Sequence, residues 1–104
     1  MSSPVPDSLI RQIVATYRPL RVILFGSHAR GEAGPDSDLD LLVVLDDDAP
    51  EEALHWRKLN EASRGYRGAV DILACHAADF EGRRHITGSF AGTIQREGVT
   101  VYER

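Results

Sequence analysis

The sequence predicts an α/β (α+β) domain, a small mixed β-sheet of three to four strands packed with helices. Three observations carry that expectation. Runs rich in β-branched and apolar residues recur at Leu20 to Phe25, Ser37 to Leu45 and Ala69 to Cys75. Apolar residues at helical spacing fill the stretches before and after them. Turn-forming residues mark the junctions, at Arg18-Pro19, Gly31 to Asp36, Pro50, Gly65 and Gly98.

The first helix is read from Leu9, Ile10, Ile13, Val14 and Tyr17, behind a Pro6-Asp7-Ser8 start that offers a capping residue and a helix-start proline. Arg18-Pro19 breaks it, and the first strand follows, ending at Gly26. Ser27 to Arg30 is expected as a short helix, and Gly31 to Asp36 is turn chemistry before the second strand. A helix after Pro50 carries Glu51 and Glu52 in its first turn and Ala53, Trp56, Leu59 or Asn60, and Ser63 along one face, and Gly65 ends it. After the third strand, Ile86, Phe90 and Ile94 recur every fourth residue up to Gly98, a C-terminal cap. Val99 to Tyr102 is the last strand.

Length and charge narrow the function. At 104 residues, positions 1–104 are expected to form a single domain, too small to hold both a catalytic unit and a separate recognition domain for its substrate. A 42% hydrophobic and 27% charged composition with no membrane-length apolar run predicts a soluble protein with no membrane partner. No secretory signal is visible, and one cysteine excludes an internal disulfide, so the expected location is cytoplasmic. A net charge of -4 disfavours a long nucleic acid, whose binding needs several phosphates neutralised by Lys and Arg.

The chemistry concentrates in three carboxylates. On a strand, residues two apart share a face, so Asp38 and Asp40 are neighbours. Asp71 lies in the third apolar run and can join them if the two strands pair. Acids so placed repel and raise one another's pKa unless a cation stabilises the charged forms, and Mg²⁺, a hard ion that shares its shell with phosphates, is the natural choice. A calcium loop is excluded, because Leu41 stands at its sixth position, where glycine is required, and Asp47 at its twelfth, where glutamate is expected. Gly26-Ser27, between a strand and a helix start, can meet an anion with backbone N–H groups, or can serve simply as a turn. Arg30 can neutralise phosphate charge or pair with Asp36 or Glu32, and Ser37 can touch a phosphate or cap its turn. The four histidines lack metal-site spacing, and Cys75 reads as core.

Phe25-Gly26-Ser27-His28-Ala29-Arg30-Gly31, then Ser37-Asp38-Leu39-Asp40-Leu41, then Val70-Asp71-Ile72 resembles a minimal nucleotidyltransferase of the DNA polymerase beta superfamily. The resemblance implies a nucleotidyltransferase fold in which Gly26 and Ser27 hold nucleotide phosphates. It also implies that Asp38 and Asp40 bind metal and that Asp71 completes a catalytic triad. Its reaction would be Mg²⁺-dependent transfer of AMP from ATP, with two ions, to a hydroxyl. Members without an appended domain are typically encoded beside a HEPN partner, which implies an antitoxin that modifies a tyrosine of its HEPN toxin. Two other readings stay open: a small-molecule hydroxyl as acceptor, and a binding module that neutralises its partner without catalysis. An exposed last strand could pair across a homodimer, and a hetero-oligomer with the partner is equally open.

Overall fold

The computed structural model describes residues 5–34, 38–66, 68–83 and 89–104. Asp36, Ser37 and Ile86, singled out above, lie outside them. Helix α1 (Asp7–Tyr17) starts at Pro6 and ends where Arg18 turns left-handed, its N–H donating to Val14 O at 2.8 Å. Strand β1 (Arg21–Phe25), helix α2 (Ser27–Arg30) and strand β2 (Leu39–Leu45) follow. A 3₁₀ turn (Glu51–Leu54) leads to α3 (Trp56–Ala62), then β3 (Val70–His76), α4 (Ala77–Arg83), α5 (Phe90–Glu97) and β4 (Val99–Glu103).

The four strands lie in the order β3-β2-β1-β4. β1 is antiparallel to β2 and to β4, and β2 is parallel to β3, so the sheet is mixed as expected. Alternation along β2 divides the core. Leu39, Leu41, Val43 and Leu45 pack with Leu9 and Ile13 of α1 and Ala62 of α3. Leu42 and Val44 face the other way and pack with Ile23, with Phe80 of α4 and with Ile94 of α5. Because β2 is covered on both faces, Leu41 to Leu45 read as a continuous apolar run.

Three elements differ from the sequence expectation. The helix after Pro50 is broken in two: His55 has an extended backbone and its Nδ1 accepts from Arg57 N–H (3.3 Å), restarting the helix as α3. Helix α4 was not expected, since Ala77 to Arg83 has one large apolar residue and no periodicity. Its first turn is held from a distance, Asp47 Oδ1 accepting from Ala78 N–H at 2.8 Å. Gly98 does cap the last helix, its N–H donating to Ile94 O at 2.7 Å, but with an ordinary φ of -74° in place of the left-handed one. It is glycine because a Cβ there would fall 2.5 Å from Ile94 O and 2.6 Å from Ile23 Cγ2, where α5 crosses β1.

Tyr17 packs against the α1/α3 core with its hydroxyl enclosed and no hydrogen-bond partner among the described residues. Burial, and then the charge of Glu61, pushes that hydroxyl's pKa upward. An enclosed hydroxyl without a partner costs free energy, so Tyr17→Phe is expected to be neutral or to stabilise the fold by up to about 1 kcal/mol in a urea titration.

Candidate active site

Strand pairing brings the acids to one end of the sheet. In the parallel ladder Asp40 is the register partner of Asp71, so their side chains share a face, and Phe25 is the partner of Asp40 on the other side. That places Gly26, the residue after β1, beside Asp40. The approach is close: a Cβ on Gly26 would lie 2.3 Å from Asp40 Oδ2. Gly26 also has φ 76° and ψ -155°, a conformation open essentially to glycine alone. Two independent constraints therefore require glycine at the position where the carboxylate meets the start of α2.

Asp40 is partly buried, while Asp38 and Asp71 are exposed. Burial raises the pKa of Asp40 above the ordinary aspartate value, and the charges of Asp71 and Asp38 raise it further, with His28 and Arg30 opposing. The three acids thus share one field. Asp38 precedes β2 rather than lying on it, a correction to the expected strand boundary. It reaches Asp40 as a charge, and among the described residues no three acidic, imidazole or thiol side chains converge into a ready-made ion cage. The donor set suits a hard divalent cation all the same. It is oxygen only, and Asp40 is held in a field that a cation would relieve.

Arg30 is braced: its Nε donates to Glu32 at 3.1 Å, and its Nη1 lies 3.6 Å from Glu97 of α5. Glu32 was among the expected partners; Glu97 was not, because only the folding of α5 back across β1 brings it near. Ser27 opens α2, with Gly26 O accepting from the N–H groups of Ala29 and Arg30 at 3.1 Å each.

Beyond the acids, on the same face, lies a cavity of about 490 Å³ lined by Leu42, Leu73, Cys75, Asp79, Phe80 and Ala91 among others. Motif spacing does not show it, since it forms between β3 and the two helices after it. Cys75 borders it, and burial, then the charge of Asp79, pushes the thiol pKa up to about 11. The thiolate fraction at pH 8 falls accordingly. Alkylation of Cys75 by iodoacetamide should be slower than that of a free thiol by on the order of a hundredfold, read by mass spectrometry, and should recover on unfolding in urea.

A glycine-bearing turn pressed against one strand acid, a second acid paired to it across a parallel ladder and a mixed four-stranded sheet define the nucleotidyltransferase class. The chain belongs to the nucleotidyltransferase domain family, which it matches over residues 8–91. The enzyme class follows from that membership. Similar folds recur among solved structures. One is a toxin-antitoxin crystallised with AMP-PNP, 17% identical with a TM-score of 0.62 over 96% of this chain and 75% of that one. Another is a protein from Sulfolobus solfataricus regarded as a nucleotidyltransferase, 22% identical with a TM-score of 0.61 over 93% and 76%. A third is a mutant of the toxin-antitoxin MntA-HpeT, 16% identical with a TM-score of 0.62 over 96% and 75%. No curated protein matches the chain. Among the described residues, no helix is long and apolar enough to cross a membrane.

Proposed function

We propose that the chain transfers AMP from ATP to a tyrosine hydroxyl of a partner HEPN-type toxin in the cytoplasm, and so acts as the antitoxin of the pair. The observation that carries this reading is the Asp40–Asp71 register pair beside Gly26. Acids and phosphate turn meet at one end of the sheet, as transfer at an α-phosphate needs. The structures of toxin-antitoxin complexes with the same fold, one of them holding AMP-PNP, support the nucleotide and the kind of partner.

In this mechanism the acceptor oxygen forms a bond to the α-phosphorus as the bond to the β-phosphate bridging oxygen breaks, and pyrophosphate leaves with that electron pair. Gly26 and Ser27 hold the departing phosphates at the start of α2, and Ser37 and Arg30 add contacts to them. For Arg30 this requires exchanging its Glu32 and Glu97 partners for phosphate oxygens. Asp71 takes the hydroxyl proton. Mg²⁺ held by Asp38, Asp40 and Asp71, as two ions, would neutralise the charge of the phosphates and acidify the hydroxyl.

Incubation with ATP labelled at the α-phosphate, Mg²⁺ and the product of the neighbouring reading frame tests this. Label on a tyrosine of that protein, absent with Asp71→Ala, is the expected result. A tight complex with no label in it would make the chain a binding module, and label on a small hydroxyl compound alone would change the acceptor class.

A further inference from the structure

On the side of Asp71, β3 is the last strand of the sheet among the described residues. β3 is bonded to β2 on one side, and among the described residues no strand lies along its other side. The N–H of Leu39 donates to Ala69 O at 3.1 Å, which sets the phase of this ladder. The amide groups of Ala69, Asp71, Leu73 and Cys75 turn toward β2, and those of Val70, Ile72 and Ala74 turn outward. A cavity lies on each face of this edge. The 490 Å³ cavity on the acid face meets β3 at Leu73, Ala74 and Cys75, with Asp79 and Ser89 contributing polar groups. On the α3 face a cavity of about 180 Å³ is formed by Val70, Asp71 and Ile72 with Leu59, Asn60 and Ser63. Leu73 is 42% exposed, unusual for a large apolar residue in this chain.

In-line displacement sets the direction from which the acceptor comes. With the phosphates at Gly26 and Ser27, pyrophosphate departs toward β1, and the attacking oxygen must arrive from the opposite side of the α-phosphorus. The strand order places β3 there.

We propose that the free edge of β3 docks the acceptor, binding an extended, basic polypeptide segment as a fifth strand with its hydroxyl residue opposite Asp71. The proposal rests on the nucleotidyl-transfer reading above and adds the form of the substrate to it. Val70, Ile72 and Ala74 supply the main-chain hydrogen bonds. On the acid face the residue two positions from the hydroxyl residue covers Leu73 and is apolar. On the other face the intervening side chains meet Asn60 and Ser63 and are small or polar. The exposed carboxylate of Asp79 beside the larger cavity, in a chain of net charge -4, complements basic flanks. A charge on an edge strand also discourages sheet-to-sheet aggregation, but that role requires no cavity on either face.

The probe is the peptide acetyl-Lys-Ser-Leu-Ser-Tyr-Ser-Leu-Ser-Lys-amide, which places tyrosine, both leucines and both lysines on one face and the serines on the other in either strand direction. It is titrated into ¹⁵N-labelled full chain with Mg²⁺ and α,β-methylene-ATP, whose α–β bridge cannot be cleaved. Shifts at the amides of Val70, Ile72 and Ala74 are expected. Methylation of one alternate set of peptide backbone nitrogens should weaken binding roughly tenfold, and methylation of the other set less than about twofold. Leu73→Asn, at an exposed position that leaves the core intact, should weaken binding by about fivefold, and Ala74→Pro, which removes an outward N–H, by roughly as much. Absence of binding, or binding that ignores the phase of methylation, overturns the docking proposal. The Gly26 and Ser27 amides report the nucleotide analogue in the same titration. If they shift while the β3 amides do not, docking fails alone; if they do not shift, the transfer reading fails.

Discussion

Asp40→Asn is expected to lower nucleotidyl transfer by at least about a thousandfold while leaving the fold intact, because the carboxylate that lies beside the Gly26 turn and is paired in register with Asp71 loses its charge. The amide keeps the shape but brings no charge to hold a cation. Its effect on stability should run the opposite way to its effect on activity. Burial and the neighbouring acids raise the Asp40 pKa in the folded chain, so the folded state holds that proton more tightly than the unfolded state does. Stability from this group is therefore present below the unfolded aspartate value and is lost as pH rises through the raised folded value. At neutral pH without divalent metal the charged form is a burden on the fold, and Asp40→Asn removes it. A Tm for Asp40→Asn equal to or slightly above that of the natural chain in EDTA, with transfer abolished, is the expected pair of results. A markedly lowered Tm would assign Asp40 a structural role instead.

Gly26→Ala should have the second large effect, on both stability and activity. A side chain at φ 76° and ψ -155° is strained by about 1–3 kcal/mol. The added methyl would also meet Asp40 Oδ2 at 2.3 Å, so the carboxylate must move or the turn must open. At about 4–8 °C per kcal/mol for a domain near this size, thermal denaturation should show a fall of roughly 4 °C or more. Transfer should fall with it, because either adjustment separates the Gly26 turn from Asp40. Double substitution separates the two causes. In Gly26→Ala with Asp40→Ala the clash is relieved while the backbone strain remains, so the combined loss of stability should be smaller than the sum of the single losses.

The candidate site was legible where local pattern and chemistry coincide. Asp40 and Asp71 stand out because a charge interrupts an apolar strand, and strand alternation alone put Asp40 on a definite face. Gly26 was legible as a turn; that it must be glycine twice over depends on Asp40 crossing beside it, which only the β1–β2 register shows. Asp38 was expected on β2 and lies ahead of it, since alternation gives a phase but no strand boundary. Among the helices, α1 announced itself through its apolar stripe, whereas α4 has Phe80 alone and is held by Asp47 from a loop 31 residues away in sequence. The broken helix before β3 was hidden for a similar reason: His55 caps α3 with a ring nitrogen, a use that residue type does not advertise. Strand order, and with it the open edge beside Asp71, followed from neither spacing nor composition. Long-range pairing decides such features, and single-chain periodicity is blind to it.

Positional labelling of ATP tests the central account most directly. The chain is incubated with Mg²⁺ and its acceptor in parallel reactions carrying the label at the α- or the γ-phosphate. Bond breakage between the α- and β-phosphates predicts α-label on the acceptor and γ-label in pyrophosphate, with both products lost in Asp40→Asn and Asp71→Ala. Transfer of γ-label to the acceptor, or α-label transfer that persists in a folded Asp40→Asn protein, would contradict it.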